Sequence, residues 1–235
     1  IMNEIKVGVA TADDIKFVQQ ILQTIEESAK VRGTGIAKRE PQYIIDKINQ
    51  GKAIIASSND MFVGFCYIES WGNKKFVANS GLIVRPEYRG HGVAKDIKRA
   101  AFALSRQLFP DAKIFGLTTA LAVMKINSEL GYKPVTFSEL TNDDSFWKGC
   151  QSCVNYDILT RTERKHCLCT GMLYDPVWEK QGVHETKEPE TLQHPLPVYD
   201  RWMRFKQFVL MRLLNKRNGG GANVLTEKKK LFRFF

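Results

Sequence analysis

The stretch Leu82-Ile83-Val84-Arg85-Pro86-Glu87-Tyr88-Arg89-Gly90-His91-Gly92-Val93-Ala94 combines residue types that can hold an anion. An apolar run ends at Val84, glycines stand at 90 and 92, and a helical apolar stripe begins at Val93. The first N–H groups of a helix have no internal partners and point outward with the positive end of the dipole. A strand, loop and helix N-terminus in succession therefore make an anion site. Gly90 and Gly92 let the main chain approach a phosphate, and Arg89 adds a cation capable of a bidentate contact. A glycine pair before a helix is, by itself, equally compatible with a structural turn. A second cluster lies further on: Cys150 and Cys153, then Cys167 and Cys169. Four thiolates fit a closed tetrahedral zinc site, although the second pair is tighter than the usual two-residue gap. The alternative is four ordinary thiols in a half-buried hairpin. Cys66 falls at an inward strand position and belongs to the core.

These positions need elements to carry them. Ile5, Val7 and Val9 alternate like a strand, and Thr11 to Asp14 resembles a capping box ahead of a helix through Ile15, Val18, Leu22 and Ile25. A second helix is predicted from Arg39 to Asn49, with Tyr43, Ile44 and Ile48 on one side. Strands follow at Ala53 to Ala56, Met61 to Glu69 and Phe76 to Val84, joined by connections short enough for antiparallel hairpins. The helix after the glycine loop buries Val93, Ile97, Ala101, Leu104 and Leu108 and stops at Pro110. A strand at Ile114 to Leu117, a helix at Leu121 to Leu130 and a strand at Val135 to Phe137 come next. Val154 to Leu159 and Cys167 to Leu173 read as two strands of a cysteine-containing hairpin around Arg161 to Lys165, with Asn155 to Ile158 supplying the last sheet strand. Alternating strands and helices imply an α/β (α+β) fold, a mixed central sheet flanked by helices.

The chain has 235 residues, 43% hydrophobic and 26% charged. That composition excludes collagen-like and mostly disordered classes. No run of about 18 apolar residues exists, so no transmembrane segment is expected. The N-terminus lacks the pattern of a signal peptide, and five cysteines disfavour a fully paired secreted framework, so a cytoplasmic location is expected. The net charge of +10 belongs almost entirely to residues 201–235, which hold ten Lys or Arg against Glu227 alone. The main domain is nearly neutral, which argues against a nucleic-acid partner. Residues 176–197 read as a linker, and Asp200 to Arg217 as a helix that packs on the main domain or on a second subunit as a homodimer. Residues 228–235 form a basic, aromatic terminus, either loose or in contact with anionic lipid, nucleic acid or a ligand phosphate on a neighbouring subunit. The chain divides accordingly into a domain at 1–175, which includes the hairpin at 150–173, and an extension at 176–235.

The string from Leu82 to Ala94 closely resembles the acetyl-CoA signature of the GNAT (GCN5-related) N-acetyltransferase superfamily: Arg or Gln, two residues, Gly, one residue, Gly or Ala. Arg89, Gly92 and Ala94 meet it, Val84 and Pro86 fit the preceding positions, and the element order agrees from about Glu4 to Phe137. The resemblance implies the GNAT acyl-CoA N-acyltransferase fold with a C-terminal extension. It also implies direct attack of a small amine, for example an amino acid, on the thioester of acetyl-CoA as co-substrate. Backbone amides of Arg89, Gly90, His91, Gly92, Val93 and Ala94 would then hold the CoA pyrophosphate. The strand ending at Val84 would splay from its neighbour and pair with the pantetheine arm. An amide near Leu82, Ile83 or Val84 would stabilise the oxyanion. An alkyl amine has a pKa near 10, so a base or water chain is needed; Glu69 is the first candidate, and a solvated strand-end carboxylate is its bland reading. His91 takes a binding rather than a basic role. The family's thiolate-protonating Tyr corresponds here to Asn127, and its usual Asn to Ala120. Asn127 can donate a hydrogen bond but is no acid at neutral pH, which leaves Ser128, Tyr132 or water for that step. It also leaves open a non-catalytic CoA-binding module. The loop Ser138 to Gly149 either covers the acceptor site or is a polar surface loop.

Overall fold

The computed structural model describes residues 4–32 and 39–180. Residues 176–180, expected as the start of a linker, are helical with Pro176 buried; the rest of that linker, the predicted helix at 200–217, its dimer contact and the basic terminus lie outside the described residues. The elements run β1 (Lys6–Val9), α1 (Val18–Arg32), α2 (Pro41–Asn49), β2 (Ala53–Ser58), β3 (Met61–Trp71), β4 (Phe76–Val84), α3 (Val93–Leu108), β5 (Lys113–Thr118), α4 (Leu121–Glu129), β6 (Lys133–Val135), α5 (Asp144–Lys148), α6 (Tyr156–Arg161), β7 (Thr170–Tyr174) and α7 (Pro176–Lys180). Short 3₁₀ turns precede α1 and α3 and follow β6. The Thr11 amide donates to Asp14 Oδ2 at 2.8 Å, so the capping residues do start the first helical segment. Pro41 sits in the first turn of α2, where its missing N–H costs nothing.

The strands form one sheet in the order β1-β2-β3-β4-β5-β7-β6. Only β4 and β5 are parallel, and every other neighbouring pair is antiparallel. Successive residues of a strand face opposite sides, and β3 divides accordingly. Cys66 and Ile68 pack with Ile97 of α3, whereas Phe65 and Tyr67 pack with Ile21 and Ile44 of α1 and α2. The sheet thus has an α3/α4 face and an α1/α2 face. Beyond β4 the second face is covered differently, by Trp147 and Leu159 over Ala78, Phe115 and Leu173.

Several expectations need correction. The predicted hairpin at 150–173 does not form: Tyr156–Arg161 is a helix, and the last strand along the chain among the described residues is β7, not Asn155 to Ile158. The Thr160 and Thr162 hydroxyls donate to the carbonyls of Tyr156 and Ile158, and Glu163 and Arg164 turn the chain at positive φ. One buried residue per turn satisfies this segment, and Leu159 is that residue. β6 begins two residues earlier than expected, and Phe137 is buried from a 3₁₀ turn. Leu108, the last member of the α3 stripe, is 43% exposed, whereas Val93, Ile97, Ala101 and Leu104 are buried. Cys66 is buried, as expected.

Candidate active site

A mixed sheet has a weak point where two parallel strands diverge. β4 and β5 pair only at Phe76–Lys113, Val77–Ile114 and Ala78–Phe115. Beyond Ala78, the β4 residues Asn79 to Val84 have a strand partner only on the β3 side, while β5 continues against β7. The opened edge is about 16 Å long at about 3.3 Å per residue. A register shift sits within it: Phe65 pairs with Ile83 but Tyr67 pairs with Ser80, so β4 carries an extra residue at Gly81–Leu82. Gly81 adopts φ +68°, and a Cβ there would stand 2.6 Å from the Tyr67 ring, so the bulge requires glycine.

The loop after Val84 leads back to α3. Gly90 and Gly92 have φ of +81° and +83° in open space, so main-chain conformation alone excludes a side chain there. The amides of Gly90, His91, Gly92, Val93 and Ala94 donate to no described residue, whereas those of Lys95 and Asp96 donate to Gly92 O. The Arg89 amide is different: it donates to Pro86 O at 3.2 Å, so the cradle starts one residue later than the sequence suggests. Its guanidinium also turns inward, with Nε donating to Val84 O at 2.9 Å and a terminal nitrogen reaching Ser28 Oγ at 3.4 Å. Arg89 therefore braces the loop against the strand end and α1.

A cleft of about 490 Å³ runs through the split, within the range of small-molecule sites. On the α1/α2 face its wall carries Glu69, Tyr43, Tyr67 and Arg39. Glu69 is not a solvated strand end: Tyr43 Oη donates to Glu69 Oε2 at 2.5 Å, and Lys47 forms an ion pair with the same oxygen. Arg39 Nε donates to the Tyr67 hydroxyl at 2.9 Å and its guanidinium lies 5.0 Å from the Tyr43 ring centroid. Burial pushes the Tyr43 and Tyr67 phenols upward, so both remain protonated donors at neutral pH. Phe146 and Trp147, from the loop at 138–149, line the same cleft. On the α3/α4 face the wall carries Asn79, Lys98, Val123 and Asn127.

Residues 19–123, which span β4, the glycine loop and α3, match the model of the Acetyltransferase (GNAT) family. They form a GNAT acetyltransferase domain. Curated protein sequences contain no match to the chain. Among solved structures, N-acetylglutamate synthase from Neisseria gonorrhoeae, complexed with coenzyme A and N-acetyl-glutamate, is similar over 74% of this chain and 36% of that one, at 14% identity and a TM-score of 0.51. The Rv2747 protein of Mycobacterium tuberculosis, solved in complex with CoA, is similar over 72% of this chain and 98% of that one, at 16% identity and a TM-score of 0.51. Both likenesses are likenesses of fold, and the chain spans about a third of the length of the synthase.

In the GNAT domain, Leu82 is half-buried while Ile83 and Val84 are buried at the end of the opened strand, and His91 is exposed in the loop. Asn127 is buried on α4, and its Oδ1 accepts from no described residue. The zinc expectation does not hold. Cys150, Cys153, Cys167 and Cys169 line one end of the cleft, but among the described residues no group of three or more possible ligands is placed to hold a metal. Burial, reinforced by the neighbouring thiols, pushes Cys150 up to about 11 and Cys169 up to about 12.

Sequence reasoning missed Lys47, the partner of Glu69, and Lys98. A signal for the second existed: Lys98 and Ser105, two helical turns apart, put polar residues on one line of α3 beside the apolar stripe.

Proposed function

We propose that the chain is an acetyl-CoA-dependent N-acyltransferase that moves the acetyl group to the amine of a small molecule by direct attack on the thioester. The observation that carries this reading is the opened edge of β4 running into a loop whose five successive amides, Gly90 to Ala94, have no acceptors among the described residues. Those amides would take the pyrophosphate, with Arg89 as the brace that shapes the loop. The edge from Asn79 to Val84 would pair with the pantetheine arm, and an amide near the bulge, at Leu82 to Val84, would receive the oxyanion.

The acceptor amine would enter from the α1/α2 face. Glu69 is the base there: the hydroxyl of Tyr43 and the ammonium of Lys47 fix its carboxylate, and a proton leaves the amine as nitrogen bonds to carbon. An amino acid is an acceptor to test first, because Arg39 presents a cation on the wall that carries Glu69. Asn127 would donate a hydrogen bond toward the departing sulfur without supplying a proton. The reducing cytoplasm suits the five free cysteines.

Titration calorimetry with CoA, followed by a screen of acyl-CoA donors against amines with detection of released thiol, tests both halves. Micromolar binding and turnover with at least one amine are expected. Absence of CoA binding by folded protein eliminates the reading. Binding with no turnover across a broad amine panel would favour a CoA-binding module, a reading to which the Asn at position 127 lends weight.

A further inference from the structure

Lys98 is 2% exposed on α3, yet it lines the cleft, and no carboxylate pairs with it among the described residues. Burying an ammonium without a counter-ion is costly, and such lysines persist where they serve a function. Its Nζ donates to Asn79 Oδ1 at 3.1 Å, and Asn79 is the first residue of β4 beyond the last β4–β5 pair. The ammonium therefore stands at the vertex of the split, at the opposite end of the opened edge from the glycine loop. Asn79 is itself fixed: it donates to Ser105 Oγ at 2.9 Å and accepts from Tyr132 Oη at 2.8 Å. Two Nζ hydrogens are not used by this bond. Asn127, on the same face of the cleft, offers a buried Oδ1 with no donor among the described residues.

We propose that Lys98 is the proton donor to the departing CoA thiolate, beside the hydrogen bond that Asn127 gives the same sulfur. The inference rests on the acyl-transfer reading above and supplies the acid that the Asn at 127 cannot be. When the acceptor nitrogen has bonded to the acyl carbon, the carbon–sulfur bond breaks and its electron pair stays on sulfur. A proton passes from Lys98 Nζ to that sulfur, leaving a neutral amine on Lys98. The proton taken from the acceptor on the Glu69 side returns through solvent to restore the ammonium. Protons and electrons balance, with no further reactant.

Burial lowers Lys98 from its ordinary 10.5 to about 8, partly offset by the Cys66 thiol. A thiol's ordinary value is about 8.5, and proton transfer is most effective between groups so matched. The titratable groups facing Lys98 are Cys66 from β3 and Tyr132 after α4, with Tyr174 of β7 behind Tyr132. Burial pushes Cys66 up to about 11 and Tyr132 well above its ordinary range, so neither competes for the proton near neutrality.

The decisive measurement is the ultraviolet thiolate signal of CoA bound to the full chain, titrated with pH and corrected with the complex of desulfo-CoA, which lacks the sulfur. The bound thiol should ionise at least about one pH unit below free CoA, because an adjacent ammonium favours the thiolate. In Lys98→Met the shift should vanish. Lys98→Gln, which can keep the bond to Asn79, should behave the same way and serves if the Met variant does not fold. A bound thiol that titrates at or above the free value in the wild type overturns the assignment, as does an undiminished shift in a folded variant. Failure of wild-type protein to bind CoA at all overturns it together with the transferase reading, so the two failures are told apart.

Discussion

The two ends of the cleft are built by different means. At the glycine loop the chemistry belongs to the backbone: five amides in sequence, two positive-φ glycines and a diverging strand edge. At the α1/α2 mouth it belongs to side chains drawn from separate segments, with Arg39 before α2, Tyr43 and Lys47 on α2, Glu69 on β3, and Phe146 and Trp147 around α5. A backbone site is constrained by conformation and tolerates only residues that permit it. A side-chain site can be rebuilt by substitution on an unchanged scaffold, which is how one fold serves many acceptors. Lesions at the two ends should therefore separate cleanly into cofactor binding and turnover.

The largest expected effect is at the loop. Arg89→Glu removes the brace to Val84 O and Ser28 and places an anion beside the phosphate cradle. Like-charge juxtaposition costs several kcal/mol, so CoA affinity by calorimetry should fall by about 100-fold or more. Gly92→Ala forces a β-carbon onto a residue at φ +83°. A strained backbone costs about 1–3 kcal/mol, so affinity should drop by roughly tenfold or more while the far-ultraviolet spectrum is unchanged. Either variant binding CoA like the wild type would show that the amides, not the acceptor mouth, had been misassigned.

Lesions at the other end should leave affinity for CoA alone. Glu69→Gln keeps the size of the side chain but removes its charge, and loss of a general base typically costs about 100-fold in kcat. CoA affinity should stay within about twofold, since the cofactor contacts lie elsewhere. Tyr43→Phe deletes one hydrogen bond to the carboxylate, worth about 0.5–1.5 kcal/mol, and should lower kcat by less than about tenfold. A parallel fall in CoA affinity in these two variants would erase the distinction between the ends.

The same contrast explains what could be read from the sequence. The cofactor end lies in thirteen consecutive residues, and the strand, glycine and helix signals there are local, so both the loop and the element order through α4 were legible. Within it the inward turn of Arg89 was not, because a side chain's reach back to Val84 O and across to Ser28 of α1 depends on the packed structure. At the mouth Glu69 and the loop from Ser138 to Gly149 were legible, but Lys47 was not, since it is on α2 and a buried Lys looks like any surface Lys until the strand beneath it is placed. The segment at 154–161 misled because Val154, Tyr156 and Ile158 alternate like a strand, while tertiary burial of Leu159 favours a helix. Close cysteine pairs suggest a metal by spacing alone, but coordination depends on how the two pairs face each other, which spacing does not encode.

That last point carries the smallest predicted effect. The thiols of Cys150 and Cys169 are raised to about 11 and about 12 from an ordinary 9.0, chiefly by burial. A group with a folded-state value above its unfolded one contributes stability that is fully present below the unfolded value. That stability is lost as pH rises through the folded one, because the unfolded chain releases its proton first. Thermal stability should therefore decline between pH 9 and about 11 or 12, a window these two residues share with Cys66. Replacing Cys169 with Ala should flatten part of that decline while CoA affinity at neutral pH stays within about twofold, because the cysteines sit at the acceptor end, away from the glycine loop. A large loss of CoA affinity in Cys169→Ala would instead mean that the two ends are mechanically joined.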